Sequence, residues 1–372
     1  MIYWDNNATT PLAPEVLEAM MPFLRELFYN PSSASRAARR VRAAVEGARE
    51  RVAALVGADA SEVVFTSGGT ESTNTALAQF DSVLMLATEH PATLRTGRGD
   101  VCPVLHDGRA DAEAWRRLLP GHDGVSFAWA NHETGVIQPV ELLCEAAREA
   151  GARVHVDVVQ AAGKVPLSLH EAGVDFASLS AHKIHGPKGI GALFIRRGAE
   201  CHPLLTGGSQ EDYRRAGTEN VPGIVGFGKA AELALEAREV YAALAEQRDL
   251  FVRLLREAGL GPVVNGEGAP RLPHVCNMRF PGLKAEGLSL LLEPAGLLCS
   301  TGSACTSAEP HPSHVLLAMG LSDAQVRESL RFSMSRYTTL AEVEEAARIV
   351  VAAVRKLRSV QSAATGPVLV YR

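Results

Sequence analysis

Between about residue 40 and residue 225, short apolar runs alternate with longer stretches of helical periodicity. The runs EVVFTS, SVLMLAT, GVSFAWA, RVHVDVV, DFASLS and GALFIR are too short for helices and end near polar or small residues, so they read as buried strands. Their alternation with helical patterns predicts an α/β unit whose sheet is largely parallel and flanked by helices. From about Ile224 to Ala258 the pattern predicts one long helix, stopped by GLGPVVNGEGAP. Beyond it, HVCNMRF, GLSLLLEPAGLLCS and a helical stretch from Leu340 to Arg358 predict a smaller α+β unit. The expected division is a large domain over 15–257 and a small domain made of 1–14 and 258–372. There is no internal repeat.

Composition narrows the function classes. With 372 residues, 47% of them hydrophobic and 21% charged, the chain can bury more than one core. No stretch approaches the roughly 18 apolar residues of a membrane span. MIYWDNNATTPLAPEV lacks a basic segment followed by an apolar one, so the cytoplasm is the expected location and a membrane is not an expected partner. A net charge of -5 argues against nucleic acid as a partner. The arginine-rich run SRAARRVRAAVEGARERV has helical spacing and reads as a solvated helix face. Six cysteines form no C-x-x-C pair, and no metal site is expected.

Ligands of an open parallel sheet bind beyond the carboxyl ends of its strands, so the residues following each apolar run carry the chemistry. After EVVFT come Ser67, Gly68, Gly69, Thr70 and Glu71, which open a helix as a phosphate cup would but lack the lysine of a Walker loop. A plain helix cap would look the same. Glu89 and His90 follow the next run, and Asn131, His132 and Glu133 the one after. Asp157 ends RVHVD, with Gln160 one turn further, and Ser180, His182 and Lys183 end DFASLS. An ammonium at a junction of buried strands must be paired, reach water or lose its charge, and a neutral lysine is a nucleophile. A phosphate cup, a strand-end carboxylate, an imidazole and a lysine together meet the needs of pyridoxal 5'-phosphate. Lys183 is the first candidate for its lysine, and Lys188 in GPKGIG is the competitor.

The stretches DNNATT, NPSS (Asn30 to Ser33), FTSGGTES, EHPA, HVD with Gln160, SAHKIHGPKGIGAL, RRAGTENV, TGSACTS and LRFSMSRYT, in this order, resemble the cysteine desulfurases of the NifS/IscS kind in the class V aminotransferase group. The resemblance spans nearly the whole chain. It implies a fold type I pyridoxal-phosphate enzyme, with a mainly parallel sheet of the seven-stranded type in its large domain, active as a homodimer, that takes sulfur from L-cysteine and leaves alanine. By the same resemblance Lys183 is the Schiff-base lysine, Asp157 the partner of the pyridine nitrogen, and His90 the ring-stacking histidine that serves in proton transfer. Gly69, Thr70, Ser180 and His182 correspond to phosphate-side contacts, and Gln160 to the residue near the ring hydroxyl. Thr218 corresponds to the threonine that reaches the cofactor phosphate of the other subunit. Asn30 and Arg331 resemble the groups that grip the substrate carboxylate.

GSAC selects Cys305, in the loop-like STGSACTSAEPHPSHVL, as the thiol that takes the sulfur as a persulfide; on composition alone Cys299 is as good a candidate. The length of this loop is similar to that of relatives that hand sulfur to acceptor proteins such as an iron–sulfur scaffold, or into tRNA thiolation. Three positions depart from the family pattern: His132 replaces the second asparagine of NNETG, Val158 an alanine, and Ser35 a histidine. An imidazole N–H at His132 is expected to replace the amide donor to the ring hydroxyl. Two rival readings are a related class V enzyme, such as a selenocysteine lyase or an aminotransferase, and a nucleotide-binding or structural α/β protein in which SGGTES only caps a helix.

Overall fold

A computed structural model describes residues 1–301 and 312–364. Its main sheet has seven strands: β2 (Val63–Thr66), β3 (Val83–Leu86), β4 (Gly99–Cys102), β5 (Gly124–Ala128), β6 (Arg153–Asp157), β7 (Phe176–Ser180) and β8 (Gly191–Ile195), following β1 (Ile2–Tyr3), which lies elsewhere. They lie in the order β2-β8-β7-β6-β5-β3-β4. Only β8 runs against its neighbours, β2 and β7. The other six share one direction, so their carboxyl ends open on one edge. β2, β3, β5, β7 and β8 are buried along their whole length, which is why they appear in the sequence as unbroken apolar runs.

Gly191 shows how the fold shapes that edge. It pairs with Thr66 on one side and Ser180 on the other. A Cβ there would lie 2.5 Å from the Leu179 carbonyl oxygen and 2.6 Å from Gly68 Cα. Only glycine lets the ends of β2 and β7 close together, and those ends carry the phosphate-cup and lysine candidates.

The second sheet, in the order β12-β13-β10-β9, consists of β9 (Val263–Val264), β10 (Val275–Arg279), β12 (Ser300–Thr301) and β13 (Ser329–Ser333). β1 pairs in parallel with β11 (Leu297–Leu298). Trp4, Phe251 and Phe332 meet edge to face in the core of this unit, with Trp4 and Phe251 5.0 Å apart. The first residues therefore pack with the C-terminal half, while Ala13 belongs to the main core.

Two elements differ from the sequence expectation. The long helix is two, Val221–Glu236 and Arg238–Glu257, meeting at Ala237. The first buries Phe227 and Ala231 in the main core and the second buries Tyr241, Leu244 and Phe251 in the small one, so packing changes partner near Ala237. β4 had no apolar signature because Gly99, Asp100 and Val101 are exposed on the sheet edge.

Candidate active site

The carboxyl ends of β2, β5, β6 and β7 surround a cavity of about 260 Å³. Gly69, Thr70, His90, His132, Asp157, Gln160, Ser180, His182, Lys183 and Arg331 all line it, together with Asn7 and Ala8. At one end the helix Gly69–Leu77 begins. A Cβ on Gly69 would approach Val159 Cγ2 at 3.0 Å, so the glycine keeps this corner open. Ser67, Gly68, Gly69, Thr70, Ser180, His182 and the exposed Lys188 line an adjoining recess. Helix-start N–H groups, hydroxyls and a cation make this end suited to a phosphate.

Toward the middle lie the titratable groups. Asp157 Oδ1 accepts the Val159 N–H at 2.9 Å, and burial raises the acid to about 6 against the pull of that bond and of Lys183. Behind it His155 bridges Ser126 Oγ and Ser178 Oγ, each at 2.8 Å, and burial keeps it neutral down to about 3. His90 Nδ1 accepts the Ala92 N–H at 3.0 Å, which places the proton of the neutral ring on Nε2. Burial, then the charges of Lys183 and His314, push His90 down to about 4. His182, whose Nδ1 meets Thr9 Oγ1 at 3.0 Å, is lowered to about 4 by burial and nearby lysines.

Lys183 follows β7 in a short 3-10 turn over Ala181–Lys183. Its Nζ donates to the backbone carbonyls of Asn7 at 2.5 Å and Ala8 at 2.7 Å. Lys188, the competing lysine, is exposed and lines only the adjoining recess. Gln160 Nε2 donates to the same Asn7 carbonyl at 3.0 Å, while its Oε1 accepts from the buried Lys164 at 3.2 Å.

Arg331 reaches the cavity from β13 of the second sheet. Its Nη2 donates to Asp5 Oδ1 at 2.7 Å and its Nη1 to the His132 carbonyl at 2.9 Å. Its buried Nε has no acceptor among the described residues. A guanidinium with a spare buried donor is suited to a carboxylate ligand. The His132 ring, 5.4 Å from that of His90, is driven well below its ordinary value by burial. Its neighbour Glu133 is raised to about 7 by burial and accepts a hydrogen bond from Ser313 Oγ at 2.6 Å.

Two expected site residues, Asn30 and Thr218, do not line this cavity. Asn30 is exposed after the helix Pro14–Arg25, where its Oδ1 accepts the Ser32 N–H at 2.8 Å and so closes a turn. Thr218 lines a separate cavity of about 270 Å³ that shares Ser67 and Gly189 with the phosphate-like recess. Cys305 lies outside the described residues. The five described cysteines are poor nucleophiles: burial pushes Cys102, Cys144 and Cys299 up to about 12 and Cys201 and Cys276 up to about 11.

The Thr218 segment is fixed by two ion pairs. Arg49 forks onto Glu211, with Nη1–Oε2 at 2.6 Å and Nη2–Oε1 at 2.9 Å, and Glu211 also accepts the Phe65 N–H at 2.9 Å on the open edge of β2. Arg215 Nε donates to Glu71 Oε1 at 2.9 Å beside the phosphate-like recess. Glu211, Asp212 and Tyr213 all have left-handed φ, a conformation that persists only where contacts impose it. Arg49→Ala strands the Glu211 carboxylate, whose side chain is 3% exposed. A loss of about 3–5 kcal/mol is expected, read as a lower midpoint in urea unfolding.

The residues fit pyridoxal phosphate. A phosphate end, an acid that a buried ring cation would ionise, and an amine lie around one cavity, kept open at Gly69. No group of three or more metal-binding side chains occurs among the described residues, and no described helix is long and apolar enough to cross a membrane.

Comparison with known proteins gives the family. The aminotransferase class-V family matches residues 2–345. A cysteine desulfurase of Sinorhizobium fredii is 44% identical over 376 residues, covering 96% of this chain and 97% of the relative. A solved NifS-like protein superposes with a TM-score of 0.88 at 35% identity, over 96% of this chain and 100% of that one. A structure described as SspA in complex with cysteine superposes with a TM-score of 0.79 at 31% identity, over 91% and 100%. This chain belongs to the aminotransferase class-V family and, within it, groups with the cysteine desulfurases.

Proposed function

We propose that the protein is a pyridoxal-phosphate-dependent cysteine desulfurase that converts L-cysteine to L-alanine and carries the released sulfur on Cys305. The observation that carries this reading is the meeting of Lys183, Asp157, His90 and Arg331 at one cavity, from strands of both sheets. Lys183 Nζ would hold the cofactor aldehyde, Asp157 the ring nitrogen, and Gly69, Thr70, Ser180 and His182 the phosphate. When bound, the cofactor supplies an electron-accepting ring that stabilises charge at the carbon losing its α-proton.

The remaining work belongs to the chain. Arg331 offers its guanidinium to the substrate carboxylate, fixing which end of cysteine enters. Lys183 would serve as a base toward the substrate α-proton, its Asn7 and Ala8 carbonyl partners accepting from the ammonium form. His90, neutral above about pH 4 and protonated on Nε2, can donate a proton and take one back. In the net reaction the Cβ–S bond of cysteine breaks, its sulfur joins the Cys305 sulfur as a persulfide, and Cβ gains a proton. The raised values of the five described cysteines favour Cys305 as the acceptor.

The expected companion of this chemistry is a homodimer in which Thr218 serves the neighbouring site, with an acceptor protein such as an iron–sulfur scaffold receiving the sulfur. Cytoplasmic placement belongs to the same reading. Cys305→Ala tests the assignment. The variant should keep its cofactor colour and lose alanine formation from L-cysteine by at least about a thousandfold. Retained alanine formation from cysteine would remove Cys305 from the reaction and favour the selenocysteine lyase reading, whereas a 2-oxo acid that keeps the sulfur would favour the aminotransferase reading.

A further inference from the structure

The side chain of Asn7 makes no contact that the proposed chemistry uses, yet it is 1% exposed and every polar atom it has is engaged. Its N–H donates to Ser333 Oγ at 3.0 Å, on β13 two residues beyond Arg331. Nδ2 donates to the His132 carbonyl at 3.0 Å, the same oxygen that receives Arg331 Nη1. Because a carbonyl requires a donor, Nδ2 is fixed on that side. Oδ1 must then accept from His274 Nε2, at 3.0 Å. The backbone oxygen takes Lys183 Nζ and Gln160 Nε2 together.

Asn7 also sits where the chain crosses between the two units. Trp4 is buried in the small core, and Asp5 bridges Ser333. After it, Thr10 N donates to the His182 carbonyl at 3.0 Å, and Ala13 joins the main core. The direction of the Asn7 carbonyl is therefore set by side-chain bonds to His132 and His274 and by the backbone bond to Ser333.

We propose that Asn7 is a positioning residue: its side chain aims its own carbonyl at Lys183 and ties that amine to the Arg331 corner through the shared His132 oxygen. This deepens the proposed reading, since it concerns how the amine of that same site is held. Carbonyl acceptors stabilise the ammonium over the free amine, so a misdirected carbonyl lowers the pH at which Lys183 loses its proton. Lys164 supports the arrangement from behind by holding the Gln160 amide in the orientation that leaves Nε2 facing Asn7.

The test uses the full chain without cofactor. Lysines are acetylated with limiting acetic anhydride across neutral to alkaline pH, and the extent at Lys183 is read by mass spectrometry against exposed Lys188. In Asn7→Ala the Lys183 profile should move to lower pH, raising its labelling at neutral pH by about threefold or more while Lys188 is unchanged. Should Asn7→Ala fold poorly, His274→Leu removes the bond to Oδ1 together with the ring's edge contact to Tyr241, and should move the profile in the same direction by less. A Lys183 profile identical to that of the native protein in a folded variant overturns the proposal, as does an equal shift at Lys188. Failure of the cofactor reading is separate: the native protein would then stay colourless with added pyridoxal phosphate, whatever the labelling shows.

Discussion

Lys183→Ala is expected to lose cysteine-dependent alanine formation by at least about a thousandfold while remaining folded, because no other described amine occupies its place. The lysine hangs from a 3-10 turn that ends β7, and its partners are two carbonyls of the Asn7–Ala8 segment. Those contacts hold the amine at the cavity wall. Their removal costs little core packing, and circular dichroism and thermal unfolding should change modestly. The variant should also lose the covalent colour of the loaded protein. Lys188 is the natural comparison. If Lys188→Ala loses both properties and Lys183→Ala keeps them, the nucleophile belongs to the glycine-rich stretch.

Asp157→Asn should show two effects of opposite sign. Oδ1 of asparagine can keep the Val159 N–H bond, so the geometry survives while the charge is lost. Removing one partner of a buried charge pair costs about 2–5 kcal/mol, which in a rate-limiting barrier is roughly 30- to 5,000-fold in kcat. The unloaded protein should instead gain stability. Burial lifts the folded-state value of Asp157 to about 6, above the ordinary aspartate value of 3.8. The folded protein thus holds this proton more tightly than the unfolded chain, and the contribution to stability is present at low pH and lost as pH rises through about 6. Above that pH the uncharged amide should stabilise the cofactor-free protein by on the order of 1–3 kcal/mol, and below about pH 4 the difference should vanish. Urea unfolding at acid and neutral pH reads the second effect and steady-state kinetics the first. An Asp157→Asn enzyme with native kcat would place the ring nitrogen against some other group.

Much of this architecture was legible because the central strands are buried on both faces and spell themselves out as apolar runs, and because ligands of such a sheet gather where those runs end. That rule located Asp157, His90, Ser180 and Lys183. The motif resemblance added what periodicity does not carry by naming Arg331, which the structure puts on the second sheet at the same cavity. Asn7 escaped because its role is exercised through a backbone oxygen and through partners more than a hundred residues away, and no local pattern marks such a residue. β4 escaped because an exposed edge strand has no apolar signal. The break at Ala237 escaped because helical periodicity continues across it while the core being packed against changes. Asn30 and Thr218 match family stretches, yet in the single chain they sit outside the cavity, one closing a turn and the other in a neighbouring pocket.

The central claim is that one amine, at position 183, forms the covalent attachment for the cofactor. Borohydride reduction of the protein loaded with pyridoxal phosphate, followed by proteolysis and peptide mapping, tests it directly. The account predicts a single pyridoxyl label on Lys183. A label on Lys188 or Lys164, or a loaded protein that takes no label at all, would contradict it.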